Sequence, residues 1–159
     1  MPLNPYSPPI TEVEDFRDSD NSPALWNPNA AANWSLVFSP AFGAFVHMKN
    51  WQALGEPGKA ATSKIWAILS LLVVFGLSGL FTILHSKSIG GFMRIGALVL
   101  LLSWYFASGR EQAKYVEARY GKVYPRRGWS KPLFFALLFS LAYVVAVAVC
   151  SILVETLHR

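Results

Sequence analysis

Residues 65–86 read IWAILSLLVVFGLSGLFTILHS, a run of 22 residues without a formal charge. A helix rises about 1.5 Å per residue and the hydrocarbon core of a bilayer is about 30 Å thick, so a run of this length spans a membrane. Toward the C-terminus, residues 89–109 (IGGFMRIGALVLLLSWYFASG) and 132–154 (PLFFALLFSLAYVVAVAVCSILV) have the same character. The chain therefore reads as an all-α integral membrane protein with three transmembrane helices at 65–86, 89–109 and 132–154. Composition agrees, with 53% hydrophobic and only 14% charged residues, where soluble domains carry about 25% charge.

Between the second and third runs lies the segment 110–131, REQAKYVEARYGKVYPRRGWSK, which holds seven Lys/Arg against two Glu. Its net charge of +5 equals that of the whole 159-residue chain. Because Lys and Arg concentrate on the cytoplasmic side of a membrane protein, this loop is expected to be cytoplasmic. That places the 86–89 hairpin and the C-terminus outside, and Lys49, Lys59 and Lys64 inside. Within the loop, residues 112–120 suit a short helix with Lys114 and Arg119 on its polar surface, ended by Gly121. Pro125 then opens a turn through Arg126, Arg127, Gly128 and Trp129. Lys114, Arg119, Lys122, Arg126, Arg127, Trp129 and Lys131 together form a collar suited to anionic lipid headgroups or a protein partner. The charge is not accompanied by a nucleic-acid motif, so nucleic acid is not an expected partner.

Residues 1–24 read as a disordered, acidic, Pro-rich tail. Prolines stand at 2, 5, 8, 9 and 23, and Glu12, Glu14, Asp15, Asp18 and Asp20 are opposed by Arg17 alone. Such a segment buries too little apolar surface to offset its ordering entropy, and it lacks the basic start and apolar centre of a secretory signal. Residues 25–64 change character, with no charge between Asp20 and Lys49. Pro40 divides an apolar core, 36–48, of only 13 residues, well short of the about 20 that a span needs. An interfacial or re-entrant pair of short helices is expected, the alternative being a kinked span. Trp26, Trp34 and Trp51 are expected at the headgroup level, and the pairs Asn33-Trp34 and Asn50-Trp51 also offer a partner surface. Residues 55–64 read as a turn. If the aromatic segment does not cross the membrane the tail is cytoplasmic; if it does, the tail is external.

Polar groups near the spans are few. Arg94, one to two turns into the second span, is within reach of its outer end by snorkelling, and it is expected near Glu155 on the adjacent helix, where the two form a candidate ion pair. Gly76, Ser78, Gly79 and Thr82, and the spacing-four pairs Ala136/Ser140, Ala142/Ala146 and Ala146/Cys150, suit close helix packing. The single cysteine, Cys150, reads as a small buried residue with no disulfide. His47 and His85 read as interfacial. No metal-ligand spacing, phosphate loop or nucleophile motif is present, so neither a catalytic site nor a cofactor is expected.

The combination NWSLVFSPAFGAFVHMKNWQALG before the first span and YGKVYPRRGWSKPL before the last resembles small uncharacterised bacterial inner-membrane proteins, including a family of the domain-of-unknown-function type with an Asn-Trp leading segment. The compact three-span plan also looks like membrane immunity proteins that accompany secreted bacterial toxins. These resemblances imply a non-catalytic inner-membrane protein that acts by binding another protein, in the specific version as an immunity protein against a membrane-active toxin. A structural or assembly subunit of an envelope complex is the alternative, and a lipid-modifying enzyme or small transporter a third.

Overall fold

The computed structural model describes residues 22–84 and 87–157, and the side chains of 83–90 are outside that description. The expected tail up to residue 21, His85 and Ser86 of the outer hairpin, and His158 lie outside the described residues. The rest is helical: α1 (Pro28–Phe38), α2 (Pro40–Ala53), α3 (Pro57–Leu84), α4 (Lys87–Trp104), a π-helical turn (Tyr105–Gly109), α5 (Arg110–Tyr120) and α6 (Ser130–Leu157). Three stretches, Pro57–Thr82, Gly91–Tyr120 and Ser130–Leu157, are long and apolar enough to cross a membrane. The protein is thus an all-α, multi-pass membrane protein.

Local chemistry sets the breaks. The Asn27 side chain caps α1 by accepting from the backbone N–H groups of Asn29 and Ala30 at 3.0 and 3.4 Å, and Pro28 occupies the first turn, where no donor is needed. Pro40 excludes the helical conformation at the residue before it. Ser39 accordingly stands at φ 144° and separates α1 from α2. Helix α3 begins at Pro57, two turns before the apolar run, so most of 55–64 is helix and not turn. Proline is favoured at a helix start, which overrode the Gly/Pro turn signal. At the other end of the basic segment, Gly121 adopts φ 66° and closes α5, a conformation that glycine reaches without a Cβ penalty.

Helices α1 and α2 form a hairpin that packs along α3. Its two ends meet on one side: Leu25, just before α1, clusters with Val116 and Tyr120 of α5, and Ala53 and Leu54 at the end of α2 pack against the same cluster. At its tip Phe38, Ser39 and Phe42 border the same groove as Val74 and Phe75 of α3. The hairpin enters and leaves on the same side, as a re-entrant element does, and the kinked crossing span is excluded. Residues 22–27 therefore lie on the side of the basic segment.

The spans themselves are loosely associated. No residue of α6 is buried. Ser78 and Thr82 of α3 are buried, and Ser78 Oγ and Tyr143 Oη share a short hydrogen bond that ties α3 to α6. A Cβ added at Gly76 or Gly79 meets nothing within 4 Å, so these glycines do not mediate close packing. Of the small pairs on α6, Ala136 and Ser140 are half-buried while Ala142, Ala146 and Cys150 are exposed. The Cys150 thiol lies on an outward face, contrary to the buried position expected for it.

Candidate binding surface on the basic cap

One end of the molecule is a compact cap built from the ends of the α1–α2 hairpin, the first turns of α3, α5 and the segment 121–129. Its interior is a polar knot. Asn50 of α2 accepts from the Trp26 N–H at 3.0 Å, and its amide donates to the Trp26 carbonyl at 2.8 Å and to Gln112 Oε1 at 3.0 Å. Gln112 of α5 donates in turn to the His47 carbonyl at 2.8 Å. Asn50 and Gln112 are at most 1% exposed. A buried network in which these amides are matched fixes one arrangement of three chain segments, because every alternative leaves polar groups unpaired.

His47 is fully buried and not interfacial. Its Nε2 lies 3.2 Å from the Pro28 carbonyl, which accepts and thereby assigns the proton to Nε2. Nδ1 is left without a partner among the described residues, as is Nε1 of Trp104, whose ring centroid is 5.3 Å away. Burial pushes the imidazole down to about 4, opposed by the Pro28 carbonyl, which favours the charged form. The ring is therefore neutral at physiological pH.

The π-helical turn explains how α5 reaches this knot. A five-residue π turn inserts one extra residue into the helix and rotates the downstream residues by about 100°. Gln112, Val116 and Tyr120, spaced by four, then face inward, while Glu111, Lys114 and Arg119 face out. At the head of the turn, the Trp104 indole lies so close to Gly43 that a Cβ there would overlap it and Ser35 Oγ. This is a close approach that only glycine permits.

The chain entering α1 is sewn to the basic segment. Leu25 donates to the Pro125 carbonyl at 3.0 Å and accepts from the Arg127 N–H at 2.9 Å, a parallel β-bridge. Trp26 Nε1 donates to the Gly128 carbonyl at 2.9 Å, and the Arg127 guanidinium lies 4.8 Å from its ring centre.

The cations expected to form a collar are on the outside of this cap: Lys114, Arg119, Lys122, Arg126, Arg127 and Lys131 are exposed, with Trp129 half-buried. Arg119 donates to the Tyr115 hydroxyl at 2.9 Å, which donates to Glu56 at 3.0 Å. Arg126 reaches the Lys122 carbonyl at 3.3 Å and stacks over Tyr124. The expected aromatic sites divide. Trp34 is half-buried on α1, against Phe38. Trp51 is 1% exposed and offers no surface to a headgroup or partner. Its indole packs edge-on against Tyr115, and the Lys59 ammonium sits 4.7 Å from both rings while pairing with Glu111 at 3.0 Å. The hydrogen bond that Lys59 donates to the Glu111 carboxylate holds its ammonium above its ordinary value, so it is charged throughout the physiological range. Arg94 and Glu155 are both exposed and are not paired with each other, whereas Lys59 and Glu111 are.

Asn50, Gln112, His47 and Trp104 were not signalled as a site by sequence. Their partners are 19 to 65 positions away along the chain, and the one local hint, the Asn-Trp repeat at 50–51, pointed outward. No known protein family, curated protein or solved structure matches this chain.

Proposed function

We infer that this is a non-catalytic protein of the bacterial inner membrane, with the cap cytoplasmic and the C-terminus periplasmic, that works by binding an acidic protein partner on the cap. One observation carries this reading: the buried amides of Asn50 and Gln112 are spent on bonds that tie the cap together, while Lys114, Lys122, Arg126 and Arg127 stand exposed on a surface that the knot makes rigid. Rigid, pre-positioned charge costs little ordering entropy on binding and speeds encounter with a surface of opposite sign. The orientation rests on the positive-inside rule, strengthened by Lys49 and Lys59 falling on the same side as 110–131.

An assembly subunit is the form of this function that the spans favour. Helix α6 buries no side chain within the monomer, and helices of a larger complex would find contacts along it. The test is site-specific photo-crosslinking in living cells from positions 122 and 126, with position 94 as the periplasmic-end control. A discrete protein adduct from 122 and 126, lost on Arg126→Glu/Arg127→Glu, is the expected result. Adducts to lipid alone, or protein adducts unchanged by the double reversal, would refute it. Protection of cells from a toxin encoded beside this protein would specify the immunity version.

A further inference from the structure

A second feature shares only Lys131 with the cap's outer surface. Between α2, α3 and α6 runs a groove of about 690 Å³. Its walls are apolar along its length, including Phe42, Leu71, Phe135 and Phe139. Its deep end is marked by Tyr143, which is hydrogen-bonded to Ser78 and set edge-on to Phe75 at 5.3 Å. Its mouth carries two ammonium groups, Lys49 of α2 and Lys131 at the start of α6. Neither is paired with a carboxylate among the described residues. From Lys131 to Tyr143 is twelve helical residues, or about 18 Å at 1.5 Å per residue, close to the about 15 Å of one leaflet's hydrocarbon.

We propose that this groove binds one anionic glycerophospholipid from the leaflet on the cap side, with an acyl chain between α3 and α6 and the phosphate between Lys49 and Lys131. Charge selects this occupant. An apolar transmembrane helix would cover the walls but leave the two lysines at the mouth unmatched, whereas a phosphodiester brings its charge to that level. Two cations also distinguish headgroups. A zwitterionic lipid carries its own ammonium against them, while phosphatidylglycerol carries none. The re-entrant hairpin is what creates the site, because the α2 side of the groove is formed by Phe42, Phe45 and Lys49.

The full-length protein in mild detergent, stripped of lipid and then given dioleoyl phosphatidylglycerol, phosphatidylethanolamine or phosphatidylcholine at equal concentration, tests this by native mass spectrometry. One phosphatidylglycerol retained per chain is expected, in preference to the other two. Lys49→Gln/Lys131→Gln is expected to weaken phosphatidylglycerol by about 30-fold and remove the preference, at about 1 kcal/mol per lysine. Ala136→Phe is expected to abolish retention by filling the groove, and Ser140→Phe does so one turn deeper should the first variant fail to fold. Thermal unfolding of each variant in the same detergent checks that it is folded. Retention without headgroup preference, or retention unchanged in a folded groove-filling variant, overturns the proposal. A lipid-free dimer that Ala136→Phe converts to monomer also overturns it, in favour of a second copy. Crosslinking from positions 122 and 126 does not depend on this groove, so the two readings fail separately.

Discussion

Acidification is expected to loosen the cap through His47 alone among its buried groups. The imidazole has Nδ1 without a partner among the described residues, and the ring's neighbours are the Pro28 carbonyl and the Trp104 indole. Neither of these titrates near neutrality. Protonation must therefore place a charge where nothing compensates it, which is why the folded value falls from 6.5 to about 4. A lowered histidine contributes stability that is fully present above the unfolded value and is lost as pH falls toward the folded one. The full difference corresponds to about 3 kcal/mol, and at pH 5 roughly 2 kcal/mol of it is gone. That is about a 30-fold rise in the open population. Hydrogen–deuterium exchange of the amides of α2 and α5, corrected for intrinsic rate, reads this directly between pH 7.5 and 5.0, where ordinary carboxylates have barely begun to protonate. His47→Gln keeps a donor for the Pro28 carbonyl but cannot titrate, so its exchange is expected to be flat over the same window. An equal pH response in wild type and His47→Gln would refute the assignment of the switch to this ring.

Three further outcomes follow from the packing. Asn50→Ala strips partners from the Trp26 backbone and from Gln112 Oε1, and it is expected to cost about 3 kcal/mol and lower the thermal midpoint in detergent, with faster proteolysis near residue 25. Gly43→Ala drives a methyl into Trp104 and Ser35; a loss of about 1–3 kcal/mol is expected, seen as a lower midpoint together with a shift in tryptophan emission. Ser39, at φ 144°, stores about 1–3 kcal/mol of backbone strain, so Ser39→Gly should be at least as stable as wild type and Ser39→Val clearly less so; the reverse order would remove strain as the reason for the α1–α2 break.

Features encoded by near neighbours in the chain were legible in advance. The apolar runs, the break at Pro40 and the end of α5 at Gly121 each depend on a few consecutive residues, and each is where the sequence put it. The misreadings share a different cause. Trp51 looks like a headgroup anchor until Tyr115 and Lys59 close over it, and Tyr115 is 64 positions away. The register of α5 depends on a π turn whose residues, Tyr105–Gly109, carry no local signal for the extra residue. The knot itself requires knowing that the Trp26 backbone, Asn50 and Gln112 meet, and no periodicity within one helix reports that.

The contrast between cap and spans follows from the two solvents. In the membrane, burying a leucine against another helix gains little, because lipid is equally apolar, so α6 is free to expose Phe134, Phe139, Val144 and Leu153. Order in such a bundle has to come from groups that lipid cannot satisfy. Ser78 and Tyr143 supply one such tie at mid-span. The other ties are at the cap, where Trp26 bonds to Gly128 just before α6 and Phe42 lies 6.4 Å from Trp129. Helix α6 is thus hydrogen-bonded to its neighbours beside its entry and at Tyr143, and the interval between those two points lines the groove. A span held this way leaves room beside α3 that direct packing would have closed. The arrangement predicts that cutting the upper tie with Trp26→Phe, which keeps the ring but removes the donor to Gly128, widens the distance between spin labels at 67 and 136 and leaves that between labels at 67 and 46 unchanged. Equal distances in variant and wild type would mean that the Ser78–Tyr143 bond alone sets the separation of α3 and α6.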